Sequence, residues 1–319
     1  MIVLWRTTTR CNYACGFCAY DRRLDIVRDE VGAAEALRFG RLLADWSRAR
    51  TTPVLLSWLG GEPLLWRPIW ELSSTLANRG VAISATTNGS TLHRSAVRAA
   101  IVTHFSELTV SIDGPAPVHD RLRGRVGAWD TVRTGLRALA AERGNGPLKL
   151  RANIVLMRET IADFPDLCTA LADWGIDEIT FNQLGGRDRP AFFPAQRLSP
   201  ADVAGLASVV PELRQRLAAR GVTLCGDARY LDRLRASAAE EPLAVDDCRP
   251  GRGFLFIDEH GIAAPCSFSA GAYGVPIAAL RTVADLDALP ADFAAARTAQ
   301  RLATCDDCPS TQTFAKFAA

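Results

Sequence analysis

Short apolar, β-prone runs alternating with helical stretches predict an α/β fold, a partial (TIM-like) (β/α)6 barrel followed by a small cysteine-rich C-terminal unit. Three observations carry this reading: six runs of strand character, amphipathic segments between them, and a change of texture near residue 226. The runs are Ile2–Trp5, Val54–Trp58, Val81–Ala85, Leu108–Ile112, Leu148–Val155 and Glu178–Phe181. Between them, segments such as Ala33–Ala49 and Trp129–Arg143 return apolar residues at three- and four-residue steps, as a helix does when it packs one face on a sheet. Strand–helix alternation implies parallel strands with helices outside, and six units suit a partial barrel better than a closed eight-stranded one. Residues 1–225 are therefore read as the barrel. In residues 226–319 a charged helical stretch (Tyr230–Glu241) leads to Cys248, a short strand (Gly253–Ile257), a turn at Glu259–Gly261 and a tail with CDDCPS. So small a unit has a limited core of its own, and bound metal is expected to stabilise it.

Composition excludes several classes. The 319 residues are 48% hydrophobic and 23% charged, which is globular rather than disordered usage. A net charge of +2 without a dense basic block argues against a nucleic-acid partner. Of the 37 basic residues only Lys149 and Lys316 are lysines, which reads as composition bias and not as function. There is no basic segment leading into an apolar signal stretch, and no run of ~18 apolar residues, so a cytoplasmic location without membrane association is expected. Nine cysteines, an odd number without a secretory signal, point to metal or redox chemistry and not to a disulfide framework.

The first cysteine group lies in RCNYACGFCAYD, soon after the first strand, at Cys11, Cys15 and Cys18. Soft thiolates suit an iron–sulfur cluster or zinc. A [4Fe–4S] cluster with three protein ligands keeps one iron open for a substrate, whereas structural zinc wants a fourth ligand, and no further Cys or His lies nearby in sequence. Spacing alone leaves both open.

CxxxCxxC after a first strand resembles the radical S-adenosylmethionine (SAM) superfamily, and further segments agree over most of the chain. GGEP at Gly60, Gly61, Glu62 and Pro63 resembles the loop that holds the methionine end of SAM; TTNGS (Thr86–Ser90), VSIDG (Val110–Gly114) and HDRLRG (His119–Gly124) resemble later segments. The resemblance implies a cluster on Cys11, Cys15 and Cys18, and ribose and SAM contacts from Asn88, Ser111 and Asp113; the bidentate fork of Arg123 suits the SAM carboxylate, with a solvated surface arginine as the alternative. Independently of it, binding groups in parallel βα folds collect where strands end, and four marked loops end four consecutive strands. Taken singly, Asn88-Gly89 and Asp113-Gly114 are ordinary turn dipeptides.

The second group is Cys248, Cys266, Cys305 and Cys308. Four cysteines can hold structural zinc or a fully ligated [4Fe–4S] cluster. The segment from Cys248 through Gly261 to Cys266 resembles the opening of a SPASM domain, and the absence of cysteines after CDDC resembles its shortened form, the twitch domain. That resemblance implies one auxiliary cluster, closed to substrate and suited to electron transfer. Cys168 reads as a buried small hydrophobe; Cys225 reads the same way, with a hydrogen-donating thiol as the functional alternative. His93, His104, His119 and His260 show no metal-pair spacing, Trp58, Trp66 and Trp70 read as core, and Asp306 and Asp307 as solvated.

The resemblance implies reductive cleavage of SAM to a 5′-deoxyadenosyl radical that takes a hydrogen atom from substrate, most simply for a two-electron oxidation in natural-product or cofactor biosynthesis. A flavodoxin- or ferredoxin-type reductant is expected, with a small molecule or a peptide as substrate. A maturase of ribosomal peptides is the alternative enzyme, against which stands the position of the cluster loop at residue 11, without a preceding peptide-recognition domain. A zinc-stabilised binding or scaffold protein is the alternative from another class.

Overall fold

The computed structural model describes residues 1–186, 189–245, 247–311 and 316–317. Among them ten strands form one open sheet: β1 (Ile2–Thr8), β2 (Leu55–Gly60), β3 (Ala82–Thr87), β4 (Glu107–Ser111), β5 (Lys149–Leu156), β6 (Glu178–Gln183), β7 (Thr223–Leu224), β8 (Phe254–Ile257), β9 (Ile262–Ala264) and β10 (Val275–Pro276). Their order is β10-β9-β8-β1-β2-β3-β4-β5-β6-β7. β1 to β7 are parallel neighbours, as in a partial barrel, and the six expected strands are all present.

β5 shows how the sequence sets the two faces. Leu150, Ala152, Ile154 and Leu156 are buried under the outer helices, while the alternating Lys149, Arg151, Asn153 and Val155 are only half-buried. The outer layer includes helices Ala33–Arg50, Ile69–Ala77, Ser95–His104, Ala128–Arg143 and Phe164–Asp173. Phe39 meets Trp5 edge-on at 5.8 Å, and Trp5 lies 5.8 Å from Trp58. Trp58 and Trp66 are buried, and the Trp58 indole N–H donates to Ser73 Oγ (2.9 Å), so these rings are core.

The C-terminal unit shares the barrel's sheet. β8 pairs in parallel with β1, Ile2 opposite Phe254 and Trp5 opposite Ile257, before β9 and β10 turn antiparallel. An open barrel leaves β1 with an unpaired edge, and the apolar FLFI run covers it. Helix Val283–Ala299 packs on helix Ala33–Arg50, where Asp287 accepts from the Trp46 indole (2.9 Å) and pairs with Arg50. Helix Ala228–Ala238 seals the other side: its Tyr230 is fully buried and donates to the Phe181 carbonyl (2.7 Å).

Candidate functional site

The loop after β1 has no regular structure over residues 9–29 and is held by side chains. Arg28 donates to the carbonyls of Thr9 (2.9 Å), Tyr20 (3.2 Å), Asp21 (2.8 Å) and Leu24 (3.1 Å), closing the loop on itself. The Asp21 carboxylate receives Arg23 and Arg189, which hold it far below the usual carboxylate range. Within this frame Cys11 and Cys18 pack against the group formed by Tyr13, Cys15 and Ala128, together with Phe17. Burial pushes the Cys11 thiol up to about 11 and that of Cys18 to about 12, and each lies within electrostatic reach of the other cysteines of the triad. Among the described residues no group of three or more His, Cys, Asp and Glu stands close enough to hold a metal ion as the side chains are placed.

The β2 loop stacks directly on this one. Gly61 N–H donates to the Thr8 carbonyl and Glu62 N–H to the Arg10 carbonyl, both at 2.8 Å. A Cβ on Gly61 would stand 2.1 Å from the Arg10 oxygen and 3.0 Å from Cys11 Cβ, so only glycine lets the two loops meet. Gly61 therefore leaves bare backbone beside Cys11 and Gly60 does so beside Thr8, and the buried Pro63 begins the turn that follows. The Glu62 side chain faces inward, accepting from Thr87 Oγ1 (2.6 Å), Asn88 N–H (2.7 Å) and Leu64 N–H (3.1 Å). Its carboxylate is a brace between the β2 and β3 loops. Burial outweighs those three bonds and raises the carboxyl to about 7. The native state thus binds more protons than the unfolded chain between about pH 4.5 and 7. Wild-type stability is expected to fall as pH rises through that window, and Glu62→Gln to flatten the slope in urea titrations at pH 5 and 8.

Asn88 links the β3 loop to the cysteines: its Nδ2 donates to Asn12 Oδ1 (2.9 Å) and lies 3.7 Å from Cys11 Sγ, while its Oδ1 accepts from Ser90 N–H (2.9 Å). Ser111 ends β4, in register with Asn153 on β5.

Asp113 and Arg123, read from sequence as separate SAM contacts, pair with each other. Arg123 Nη2 lies 2.6 Å from Asp113 Oδ2, and the two side chains are 8% and 0% exposed. Arg123 thus supplies the counter-charge that a carboxylate buried this deeply needs. Asp113 Oδ1 accepts from Val155 N–H (2.9 Å), and Arg123 Nη1 points at Cys15 Sγ at 3.9 Å. Burial alone would lower the Arg123 guanidinium; Asp113 and Cys15 more than offset it and raise it. His119 accepts at Nδ1 from Asp113 N–H (3.2 Å), and burial keeps its ring neutral. Ala14 N–H donates to the Arg123 carbonyl (3.0 Å), and at Gly124, with φ +59°, a Cβ would stand 2.5 Å from the Ala14 oxygen. Helix Ala116–Arg123 thereby seats the cysteine loop.

Cys248, Cys266, Cys305 and Cys308 line one cavity of about 850 Å³ in the C-terminal unit, Cys248 exposed and Cys308 buried. The other three thiols all act electrostatically on Cys248. Cys168 is buried in the core on helix Phe164–Asp173. Cys225 is buried beside Glu178, and burial together with that carboxylate pushes its thiol up to about 12.

The donor sets suit the groups that the motifs imply: a triad of thiols beside bare glycine backbone, and four thiols around one cavity. Thr87, Asn12 and Arg28 escaped sequence reasoning because their contacts join separate loops. Lys316, set aside as composition, reaches the barrel interior and donates to Asn153 Oδ1 (3.0 Å).

The chain is similar to several known proteins. The chain is 26% identical over 221 residues to the Fe-coproporphyrin III synthase of Methanosarcina barkeri, covering 69% of this chain and 53% of that one, so it spans about half of that relative. It is 25% identical over 269 residues to the mycofactocin maturase MftC of Mycobacterium tuberculosis, covering 83% and 64%. Streptococcus suis SuiB bound to S-adenosylmethionine shares the fold at 17% identity, with a TM-score of 0.67 over 100% of this chain and 72% of that one. The Radical SAM superfamily model matches residues 5–171, more than half of the sequence, and the chain belongs to that superfamily.

Proposed function

We propose that this enzyme cleaves SAM reductively and oxidises a small molecule by two electrons in cofactor or natural-product biosynthesis. Cys11, Cys15 and Cys18 would hold the SAM-binding [4Fe–4S] cluster. Cys248, Cys266, Cys305 and Cys308 would hold one auxiliary cluster in a twitch-like unit of residues 226–319. The observation that carries the reading is the grouping of Cys11, Cys15 and Cys18 in one loop cluster, with Cys11 against the bare backbone of Gly61. Bound there, cluster and SAM supply a 5′-deoxyadenosyl radical able to take a hydrogen atom from a C–H bond.

The chain's own part is positioning. Gly60 and Gly61 offer backbone groups to an amino-acid moiety, and Asn88 and Ser111 supply polar groups at the ends of β3 and β4. The Asp113–Arg123 pair braces Cys15 from behind. Four thiols on the auxiliary cluster leave no iron open, which suits electron transfer. The exposed Cys248 puts that centre near the surface, within reach of a flavodoxin- or ferredoxin-type reductant. Among the described residues no helix is long and apolar enough to cross a membrane, and we place the protein in the cytoplasm.

A second reading, a peptide-modifying maturase, is favoured by the likeness to mycofactocin maturase. The test is anaerobic reconstitution and reduction with SAM, offering hydroxylated small molecules and precursor peptides as separate substrate sets. About eight irons per chain, 5′-deoxyadenosine and a product lighter by two hydrogens are expected. Bound zinc without 5′-deoxyadenosine would return the chain to the scaffold reading. Cys248→Ala with Cys308→Ala is expected to remove about half of the iron and to spare 5′-deoxyadenosine formation, because the first cluster is ligated elsewhere.

A further inference from the structure

Below the mouth, Ser57, Ser84, Thr86, Thr109, Asn153 and Thr180 surround a cavity of about 480 Å³. Strand register sets Ser111, Asn153 and Thr180 in one row across β4, β5 and β6. Adjacent strands are ~4.8 Å apart, so this row is a single layer of the barrel. Lys316 enters that layer from the C-terminal tail, its Nζ donating to Asn153 Oδ1 at 3.0 Å. The same oxygen accepts from Thr180 Oγ1 (3.1 Å) and Asn182 Nδ2 (3.0 Å), which fixes the amide's orientation and with it the amine's place.

The other charged groups of the lining satisfy one another. Glu107 lies 3.0 Å from Arg151 and 3.6 Å from Lys149; Glu178 lies 3.5 Å from Lys149 and also pairs with Arg151. Among the described residues Lys316 alone in this lining has no carboxylate partner. Burial, with Arg151 on β5 and Arg233 on helix Ala228–Ala238, drives its proton off, while the Cys225 thiol beside β7 works the other way. The balance brings the amine down to about 7.

We infer that Lys316 is the proton acceptor of the oxidation, its amine held through one N–H by Asn153 and its lone pair left for an O–H or N–H on the substrate carbon being oxidised. This rests on the oxidative function proposed above. The carbon's hydrogen atom goes to the radical derived from SAM. The heteroatom's proton goes to Nζ, and the remaining electron to the oxidised auxiliary cluster, leaving a C=O or C=N bond. Arg151 and Arg233 then disfavour the ammonium, which releases its proton to water.

The chain's two lysines make the test clean. In the anaerobic, SAM-bound holoenzyme, acetic anhydride labelling followed by peptide mass spectrometry across pH 6–11 should give Lys316 a midpoint near 7. With the substrate that wild type oxidises, Lys316→Gln should keep 5′-deoxyadenosine formation within about twofold. Its oxidised product should fall by about 10²-fold or more, and the rise of product with pH through about 7 should disappear. Lys316→Gly should recover product on addition of ethylamine, which separates loss of the base from loss of fold. Product at the wild-type rate and pH profile from Lys316→Gln, or a Lys316 midpoint at the usual lysine value of about 10.4, would overturn the inference. Absence of 5′-deoxyadenosine from wild type would instead remove the proposed function, and this inference with it.

Discussion

Alanine at Cys11, Cys15 or Cys18, one at a time, is expected to bring 5′-deoxyadenosine formation to background and to lower bound iron by about half. This is the largest effect foreseen on activity, because two thiols cannot keep a cluster with one open iron in place. The fold should survive. The triad packs in a group of its own with Tyr13 and Ala128, separate from the main core around Trp5, Phe39 and Trp58. Near-ultraviolet circular dichroism of the iron-free protein should therefore be unchanged by the substitution, and iron content and SAM cleavage should carry the whole difference. Full SAM cleavage by any of the three variants would refute the assignment of that residue as a ligand.

Arg123→Leu should give the largest loss of stability, about 3–5 kcal/mol, because it strands a buried Asp113 carboxylate. The direction with pH follows from which group is left. Without the guanidinium, Asp113 folds more easily when protonated, so the variant's deficit should shrink as pH falls and grow as it rises. Asp113→Leu combined with Arg123→Leu should recover part of the loss, since no unpaired charge stays buried. Urea unfolding of the three variants at pH 5 and 8 measures both effects. The single variant should also bind less iron, because it loses the Nη1 that faces Cys15.

The barrel strands were legible because each is a local apolar run, and the cysteine and glycine loops because their residue types have few other uses. Glu62 shows where that stops. Its place in GGEP pointed outward to a ligand, yet its carboxylate is taken by Thr87 and Asn88, about 25 residues away, and such a partner is not written in local sequence. The Asp113–Arg123 pair is not legible in the sequence either, since the two charges meet only once the chain between them has folded into helix Ala116–Arg123. Lys316 lies 163 positions from the Asn153 it contacts and belongs to no motif. The strand Gly253–Ile257 was found as a strand, but its neighbour was not, because strand order is a property of the sheet and not of any window of sequence.

The pairing of β8 with β1 also sets a timetable for synthesis. Ile2 faces Phe254, so the strand that carries the first cysteine loop gains its second neighbour only after some 250 further residues have been made. At 5–20 residues per second that is an interval on the order of 10–50 s, during which β1 has one bare edge and the triad is already outside the ribosome. Contacts this distant in sequence also slow folding itself. Premature iron loading and edge-to-edge aggregation are therefore hazards of the nascent chain, and delivery of the first cluster is best timed after the last strands have docked.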